Sequence, residues 1–251
     1  MDDYRAEAYG ERWADVYDEW VARFGGQKDP ETVAEALAHL AGGGTALELA
    51  VGTGRIAVPL ARRGVEVHGV DASEDMVSRL RSKPGGDSIP VTIGNFADVP
   101  VSGRFRLVYV VFNTFFALLS QDEQVRCFEN VAPHLDDHGA FVIETFVPDT
   151  TRYERGQHLE ATAVELDQVL ITAARYDAVG QAIRAAQLFI RQGGIEMRPV
   201  YLRFAYPSEL DLMARLAGLR LRERWGGWEG EPFTSQSGSH VSIYERAPGH
   251  A

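Results

Sequence analysis

Between residues 45 and 148, short apolar runs alternate with segments whose apolar positions recur every three or four residues. The apolar runs, predicted as strands, are Ala46–Ala50, Val65–Val70, Val91–Ile93, Leu107–Phe112 and Ala140–Thr145. The segments with helical spacing are Arg55–Arg63, Glu74–Arg81 and Gln121–Leu135. Strands that alternate with helices in this way are typical of βαβ units. The pattern therefore predicts an α/β fold with a doubly wound, mostly parallel sheet.

Residues 1–44 show a different pattern. From Asp3 to about Phe24, aromatic residues recur at helical intervals between acids and arginines, which predicts one amphipathic helix with an aromatic face. Glu31–Leu40 is predicted as a second helix that ends at the glycines beginning with Gly42. We expect this region to form an N-terminal helical lid.

After Pro148 the chain becomes rich in β-forming residues separated by turn signals. The predicted strands are Val164–Leu166, Val169–Tyr176, Ala182–Ile190 and Val200–Phe204. Because no helical pattern intervenes, residues 149–206 are predicted to be an antiparallel β insertion. A helix capped by Ser208 and two strands, Leu219–Trp225 and His240–Glu245, then return to the α/β pattern. Residues 45–148 and 207–251 are thus expected to form one core around a seven-stranded sheet.

Composition restricts the classes of partner. The chain has 251 residues, 45% of them hydrophobic and 24% charged, which is typical of a globular protein with a sizeable core. Its formal net charge of −11 argues against nucleic acid and against an anionic membrane surface, so a small-molecule substrate is expected. No apolar run approaches the roughly 18 residues that a membrane span needs, and we expect a cytoplasmic protein. The single cysteine and the spacing of His, Asp and Glu predict no metal site.

The stretch from Ala46 to Asp71 contains the first candidate chemistry. Gly52 and Gly54 follow the first predicted strand, where a glycine turn lets the backbone approach a ligand at the start of the next helix. Asp71 ends the second predicted strand and is placed to accept both hydroxyls of an adenosine ribose. These features predict a Rossmann-like cofactor site, and they fit a nicotinamide dinucleotide as well as other adenosine cofactors.

Glu48 separates the two kinds of cofactor. A carboxylate near the end of the first strand repels the pyrophosphate of a dinucleotide and attracts a cation. S-adenosylmethionine contains adenosine, has no phosphate and carries a positive charge. Glu48 therefore favours S-adenosylmethionine over a nicotinamide dinucleotide.

The chain resembles the class I S-adenosylmethionine-dependent methyltransferases from about Tyr17 to Arg246. Four motifs carry the resemblance in the order of that family: ELAVGTGR, GVDASEDM, IGNFAD and FRLVYVVFNT. The closing pattern PSELDLMARLAGLRL followed by HVSIYER is similar to the end of many actinobacterial small-molecule members, including amino-sugar N-methyltransferases.

The resemblance implies S-adenosyl-L-methionine as cofactor and S-adenosyl-L-homocysteine as product. It implies that Glu48, Ala50 and Gly52 line the methionine part, with Ala50 where the family most often has glycine. Asp71 would hold the ribose. The expected adenine contacts are Ala72, Met76, Asn95 and Phe96, with Asn95 where an aspartate is usual. Tyr17 resembles the tyrosine that folds over the methionine end, and Phe112 and Asn113 would lie where cofactor meets substrate.

The acceptor side of the site is less clearly marked. Tyr9 and Trp13 are expected to cover the cofactor and to contact the substrate, or else to pack on the core. Trp225 is expected in the substrate pocket or a dimer surface. Glu144, at the end of the fifth core strand, is a candidate for orienting or deprotonating an acceptor, or for capping a loop. His240, at the start of the last strand, is a second candidate base.

The function expected from these residues is methyl transfer to an N or O atom of a small secondary metabolite, such as an amino sugar in antibiotic biosynthesis. Two alternatives stay open at this point: a fold relative that binds S-adenosylmethionine without transferring methyl, and a nicotinamide-dependent oxidoreductase. A homodimer formed through the antiparallel insertion is a further expectation.

Overall fold

The computed structural model of the chain describes residues 6–24 and 29–248. Its helices are α1 (Ala6–Trp13), α2 (Tyr17–Phe24), α3 (Pro30–Ala41), α4 (Ala57–Arg62), α5 (Glu74–Arg81), α6 (Gln121–Val131) and α7 (Pro207–Leu216). Its strands are β1 (Ala46–Leu49), β2 (Val67–Asp71), β3 (Val91–Ile93), β4 (Phe105–Val110), β5 (Leu135–Phe146), β6 (Gln157–Val164), β7 (Gln168–Asp177), β8 (Ala182–Arg191), β9 (Gly194–Arg203), β10 (Leu219–Trp225) and β11 (Ser239–Arg246). No helix in the described ranges is long and apolar enough to cross a membrane.

A seven-stranded sheet has the order β10-β11-β5-β4-β1-β2-β3. All of its neighbouring pairs are parallel except those made by β11, which runs antiparallel to both β5 and β10. The expected α/β fold with a doubly wound, mostly parallel sheet is therefore confirmed. The carboxyl ends of β1, β2, β4 and β5 meet at one edge, which is the usual ligand edge of such a sheet.

Both faces of this sheet are covered. On one face, side chains of α3 and α4 form a core with alternate residues of β1, β4, β5 and β11, including Leu37, Leu60 and Val142. On the other face, α6 and α7 form a second core with the intervening residues, including Phe128, Met213 and Phe141. Because both faces are buried, these strands are almost continuously apolar in sequence, as expected for a parallel sheet.

The insertion forms a separate antiparallel sheet in the order β6-β7-β8-β9. One face packs against α1 and α2, where Leu170 and Phe189 join a cluster with Trp13. The opposite face carries exposed apolar residues, among them Leu159 and Met197. The antiparallel character expected for the insertion is present, and its strands are longer than the sequence pattern predicted.

The N-terminal region differs from the single helix predicted between Asp3 and Phe24. Within the described residues it forms two helices, α1 and α2, separated by a turn in which Val16 N–H donates to the carbonyl oxygen of Trp13 at 3.1 Å. The turn brings Asp15 to Arg198 of β9, with oxygen–nitrogen distances of 2.8 and 3.2 Å. The partner lies in a distant part of the sequence, so helical periodicity gives no sign of the break. Asp3 itself lies outside the described residues.

Other differences are at element ends. The helix predicted to reach Leu135 ends at Val131, and β5 begins at Leu135 rather than at Ala140. The pairing of β4 with β5 shifts register between Phe105 and Leu107, which accommodates the additional residues. The domain boundaries at residues 44, 148 and 206 stay predictions.

Candidate active site at the carboxyl edge of the sheet

The glycine turn between β1 and α4 has three residues in the left-handed conformation. The φ angles are 56° for Ala50, 56° for Gly52 and 74° for Gly54. This conformation is costly for a residue with a Cβ, which explains why the position of Ala50 is most often glycine in the proteins that the chain resembles. A Cβ at Gly54 would lie 2.8 Å from Leu80 Cγ, whereas one at Gly52 would meet only the carbonyl oxygen of Ala50 at 4.0 Å. Gly54 thus permits close packing, and Gly52 leaves backbone open to a ligand.

Glu48 lies near the end of β1 and is almost fully buried, with 4% of its surface exposed. Its Oε2 accepts a hydrogen bond from the hydroxyl of Tyr109 at 3.0 Å, across the β1–β4 pairing that places the two residues side by side. Burial raises the pKa of Glu48 to about 8, against the opposing effects of Tyr109 and Arg55. A buried carboxylate whose ionised form is costly gains most from a cationic ligand.

Asp71 ends β2 and uses both carboxylate oxygens to hold the turns beside it. Oδ2 accepts from Gly52 N–H at 2.7 Å, and Oδ1 accepts from Ser73 N–H at 2.8 Å. Burial raises its pKa, and these backbone donors lower it. Asp71 therefore fixes the glycine turn against the start of α5, and its remaining lone pairs suit the hydroxyls of a ribose.

The residues expected around an adenine ring lie at the next turns of the same edge. Ala72 precedes Ser73, whose hydroxyl caps α5 by accepting from Met76 N–H at 3.2 Å. Asn95 accepts from Ala97 N–H through its side-chain oxygen at 2.9 Å, so that oxygen has a local structural role. Phe96 is buried in the core on the α6 side of the sheet.

Two consecutive residues after β4 also take the left-handed conformation, with φ of 58° for Phe112 and 63° for Asn113. Phe112 N–H donates to Glu144 Oε2 at 3.0 Å, and Asn113 Oδ1 accepts from Phe146 N–H at 2.6 Å. Burial raises the pKa of Glu144, while the Phe112 N–H lowers it. The structure thus brings Phe112, Asn113 and Glu144 together as one unit.

Arg55 follows the glycine turn, and its guanidinium carbon lies 3.4 Å from the centroid of the Phe112 ring. Tyr17, Glu144 and Glu48 all interact with it electrostatically. Burial raises the pKa of Tyr17 to about 12, and the charge of Arg55 opposes that rise. Arg55 is therefore the cationic centre of an edge that carries three buried or partly buried carboxylates.

The N-terminal helices are attached to this edge through Asp18. Its Oδ1 accepts from the hydroxyl of Thr53 at 2.6 Å, and its Oδ2 lies 2.7 Å from Lys83 Nζ. Thr53 belongs to the glycine turn, so Asp18 fixes the start of α2, where Tyr17 lies, beside that turn.

Tyr9 and Trp13 lie in the aromatic cluster between α1 and the four-stranded sheet. Their rings stack with centroids 5.6 Å apart, and Trp13 also meets Trp20 edge-on at 4.9 Å and Phe189 at 6.5 Å. Trp13 has no exposed surface. The expectation that Trp13 contacts substrate is therefore revised, because its indole is enclosed by packing against β8.

His240 and Trp225 lie on opposite faces of the seven-stranded sheet. His240 has no exposed surface, and its Nε2 and Nδ1 lie 3.0 Å from Thr145 Oγ1 and 2.8 Å from Ser242 Oγ. It pairs with Thr145, so it lies on the opposite face of the sheet from Glu144, and burial lowers its pKa to about 4. With both nitrogens engaged inside the core, His240 is revised from candidate base to structural residue. Trp225 is partly buried, and its Nε1 donates to Glu223 at 2.9 Å.

Sequence reasoning missed Tyr109, Arg55 and Asp18. Tyr109 interrupts an otherwise apolar buried strand, and a buried phenol needs a partner, so its hydroxyl was a usable signal. Arg55 immediately follows the glycine turn, where a charge cannot lie far from a ligand. Asp18 gave no signal, since its contact with Thr53 joins two separate elements. Within the described residues, no group of three or more His, Cys, Asp or Glu is arranged to hold a metal ion.

Comparison with known proteins extends these observations. A family model described as a methyltransferase domain matches residues 46–139. The cypemycin N-terminal methyltransferase of a Streptomyces species is 30% identical over 207 residues, covering 81% of this chain and 84% of that protein. The solved structure of the CcbJ methyltransferase from Streptomyces caelestis is 40% identical, with a TM-score of 0.92, and covers 97% of this chain and 100% of that one. DesVI from Streptomyces venezuelae shares the fold at 22% identity, with a TM-score of 0.68 over 91% of this chain and 97% of its own.

The residues at the carboxyl edge of the sheet agree with the similarity to methyltransferases. Buried Glu48 suits a cation, Asp71 suits a ribose, and the open backbone at Gly52 leaves room for a ligand. The nicotinamide alternative is set aside, because the relatives are methyltransferases and Glu48 disfavours a pyrophosphate. The chain belongs to the S-adenosylmethionine-dependent methyltransferases.

Proposed function

We propose that the protein transfers the methyl group of S-adenosylmethionine to an amine nitrogen of a small secondary metabolite. One observation carries the proposal: three acidic side chains, Glu48, Asp71 and Glu144, are buried or partly buried at one edge of the sheet. Such an edge favours cationic groups, both the sulfonium of the cofactor and an amine. The name of the cypemycin relative, an N-terminal methyltransferase, supports nitrogen as the acceptor atom.

The cofactor contacts are part of this proposal. Tyr17, Glu48, Ala50, Gly52, Asp71, Ala72, Met76, Asn95, Phe96 and Phe112 are assigned to the cofactor. Tyr9 and Asn113 are assigned to the acceptor side, and Trp225 is kept as a more distant candidate. The cofactor supplies a methyl group whose sulfonium charge already makes the sulfur a good leaving group.

The chain's own contribution is then positioning and exclusion of water. The acceptor nitrogen must approach the methyl carbon to about 3 Å in line with the bond that breaks. We assign α1 and α2 as a lid over this edge, since Asp18 already joins α2 to Thr53, whereas α3, which the predicted lid of residues 1–44 included, belongs to the core. The aromatic face of Tyr17 also favours a nearby cation. Arg55 disfavours an additional cation on its own side, which restricts where an amine can enter.

The test is a panel of paired acceptors in which each amine is matched by its alcohol. The panel contains amino sugars and short peptides with a free N-terminus, because both present an aliphatic amine. We expect S-adenosylhomocysteine and a mass increase of one methyl group only with amines. Methylation of the alcohols alone would contradict the nitrogen assignment. Cofactor binding without turnover across the whole panel would instead favour a relative that uses S-adenosylmethionine for a different reaction.

We also propose that two copies associate through the exposed face of the four-stranded sheet. Arg175 of β7 lies directly opposite Arg184 of β8 on that face, in a row with Tyr201, and they line an open cavity of about 1010 Å³. Directly opposed like charges are unfavourable, and Glu154 lines the same cavity, so a two-fold contact can set this carboxylate of one copy against the arginines of the other. The adjoining Met197 is 61% exposed.

Sedimentation of the wild type and of Met197→Glu tests this association. A dimer that the substitution or high salt dissociates would support the proposal, and a wild type that sediments as a monomer at all concentrations would contradict it.

The cytoplasmic location expected from the sequence stays a prediction.

A further inference from the structure

The backbone at the end of β4 is held in a conformation that its sequence does not favour. Phe112 and Asn113 are consecutive and both left-handed, although each has a Cβ. Residues in sparsely populated backbone regions persist only where the surrounding structure holds them, and they often lie at functional sites. The conformation is needed here because it turns the chain sharply out of the sheet at the ligand edge.

The end of β5 supplies the groups that hold this turn. Glu144 accepts two backbone hydrogen bonds: its side-chain Oε2 accepts from Phe112 N–H at 3.0 Å, and its carbonyl oxygen accepts from Asn113 N–H at 3.2 Å. Two residues later, Phe146 N–H donates to Asn113 Oδ1 at 2.6 Å. Of these three bonds, only the first depends on the identity of the side chain at position 144.

The left-handed turn at Phe112 and Asn113 sets the position of the Phe112 ring. The Phe112 ring lies against the Arg55 guanidinium, 3.4 Å from its central carbon to the ring centroid. Arg55 interacts with Tyr17 and with Glu48, the carboxylate assigned to the cofactor. Trp228, which is 3% exposed, lies close enough to lower the pKa of the Glu144 carboxyl group. One carboxylate therefore connects the end of β4, the loop after β10 and the charged centre of the edge.

We propose that Glu144 is a positioning residue, whose carboxylate oxygen holds Phe112 in the left-handed turn and thereby keeps its ring against Arg55, and that it takes no proton from the acceptor. The role requires an acceptor oxygen within reach of Phe112 N–H. It does not require ionisation, since the carbonyl oxygen of a neutral carboxyl or of an amide accepts equally well in geometry. A general base has the opposite requirements: it must ionise, and it must reach the acceptor.

Two variants separate these requirements. Glu144→Gln keeps the length and an acceptor oxygen but cannot ionise, whereas Glu144→Asp ionises but is one methylene too short to reach Phe112 N–H. Because the inference rests on the proposed function, each variant is first measured by calorimetry for binding of S-adenosylhomocysteine, which needs no acceptor. Steady-state kcat, KM and their pH dependence then follow with an accepted amine.

For a positioning residue we expect Glu144→Gln to bind within about threefold of the wild type and to keep its pH profile, and Glu144→Asp to bind about tenfold more weakly. A base would give the reverse order in kcat, with a loss of about 100-fold or more in Glu144→Gln and no acid limb in its pH profile. The inference would be overturned if Glu144→Gln lost more kcat than Glu144→Asp, or if the two variants behaved equally in binding and turnover.

Exposed Glu129 on α6 provides the matched control, and Glu129→Gln should leave binding and turnover unchanged. If Glu144→Asp does not fold, Glu144→Gln still decides between the roles through its kcat and pH profile. A wild type that does not bind S-adenosylhomocysteine would count against the proposed function, and a wild type that binds it while Glu144→Gln loses turnover would count against the positioning role alone.

Discussion

The two sheets of the protein differ in what covers them. Every side chain of β1 is buried, because helices lie on both faces of the seven-stranded sheet. The four-stranded sheet is covered on one face only, and on the other face Leu159 is 74% exposed. A polar residue in the covered sheet is therefore informative, since its desolvation needs a compensating role, whereas polar residues on the open face of the other sheet, such as Arg175 and Arg184, are solvated. This explains why Glu48 pointed to function in the sequence and these two arginines did not.

The largest expected consequence of this difference is a pH effect on stability. Glu48 has an ordinary pKa of 4.5, and burial raises it to about 8 in the folded protein. The folded state therefore binds more protons between these values, so its free energy of unfolding falls as pH rises from about 4.5 to about 8. We expect this dependence to be on the order of 3 kcal/mol between pH 5 and pH 8 in the cofactor-free protein. Urea unfolding of Glu48→Gln, compared with the wild type, should show a flatter curve.

Exposed Glu129 of α6 is the control for that measurement. Glu129→Gln should follow the wild-type pH curve. If the slope of Glu48→Gln equals that of the wild type, Glu48 is not desolvated as the structure indicates.

The next effect tests close packing in the covered sheet. Gly54→Ala forces a Cβ to within 2.8 Å of Leu80 in a residue with φ of 74°. We expect a loss of roughly 2–4 kcal/mol in unfolding free energy, from backbone strain and overpacking together. Gly64→Ala is matched in backbone, with φ of 85°, but meets nothing within 4 Å, so it should lose only the smaller strain contribution. Equal losses at the two positions would show that packing at Gly54 is unimportant.

A smaller effect is expected where the open sheet holds the N-terminal helices. Arg198 is almost fully buried beside Trp13 and pairs with Asp15 and Glu196. Asp15→Asn keeps the shape and removes the charge, and because the Asp15 side chain is 60% exposed we expect only about 1 kcal/mol of destabilisation. Hydrogen exchange of residues 6–24 should accelerate, while exchange in β1 and β4 should not change. Faster exchange in both regions would mean that the two sheets unfold as one unit.

The smallest effect is expected at a second contact between the N-terminal helices and the four-stranded sheet. Arg23 pairs with Glu165 at 2.8 Å on the surface of the protein. Solvent screens such a pair, so Glu165→Gln should leave the melting temperature and the exchange of residues 6–24 at wild-type values. A loss comparable to that of Asp15→Asn would contradict the distinction between buried and exposed contacts.

Much of the covered sheet could be predicted because its signals are local. Hydrophobic runs located its strands, and α5 and β3 were placed with their observed ends. Gly52 and Asp71 marked the edge that we assign to the cofactor. The order of motifs alone indicated the family.

The prediction was weaker where long-range contacts decide the structure. The turn between α1 and α2 is held by contacts of Asp15 with Arg198, and the early start of β5 coincides with a shift of its pairing with β4. His240 looked like a base at a strand end, but alternation along β11 directs it into the core opposite Glu144. Periodicity shows which residues of a strand share a face. It does not show which of the two faces of the last strand meets the site.

The sequence by itself determined the fold class and indicated the candidate cofactor edge with its buried acid Glu48, because strand periodicity, glycine turns and charge act over a few residues. Only the tertiary structure decided what each carboxylate does there. Tyr109 and Glu48 meet through the pairing of β1 with β4, and Glu144 reaches Phe112 through the pairing of β4 with β5. Those contacts depend on which strands become neighbours, a property of the whole chain that no short stretch of sequence contains.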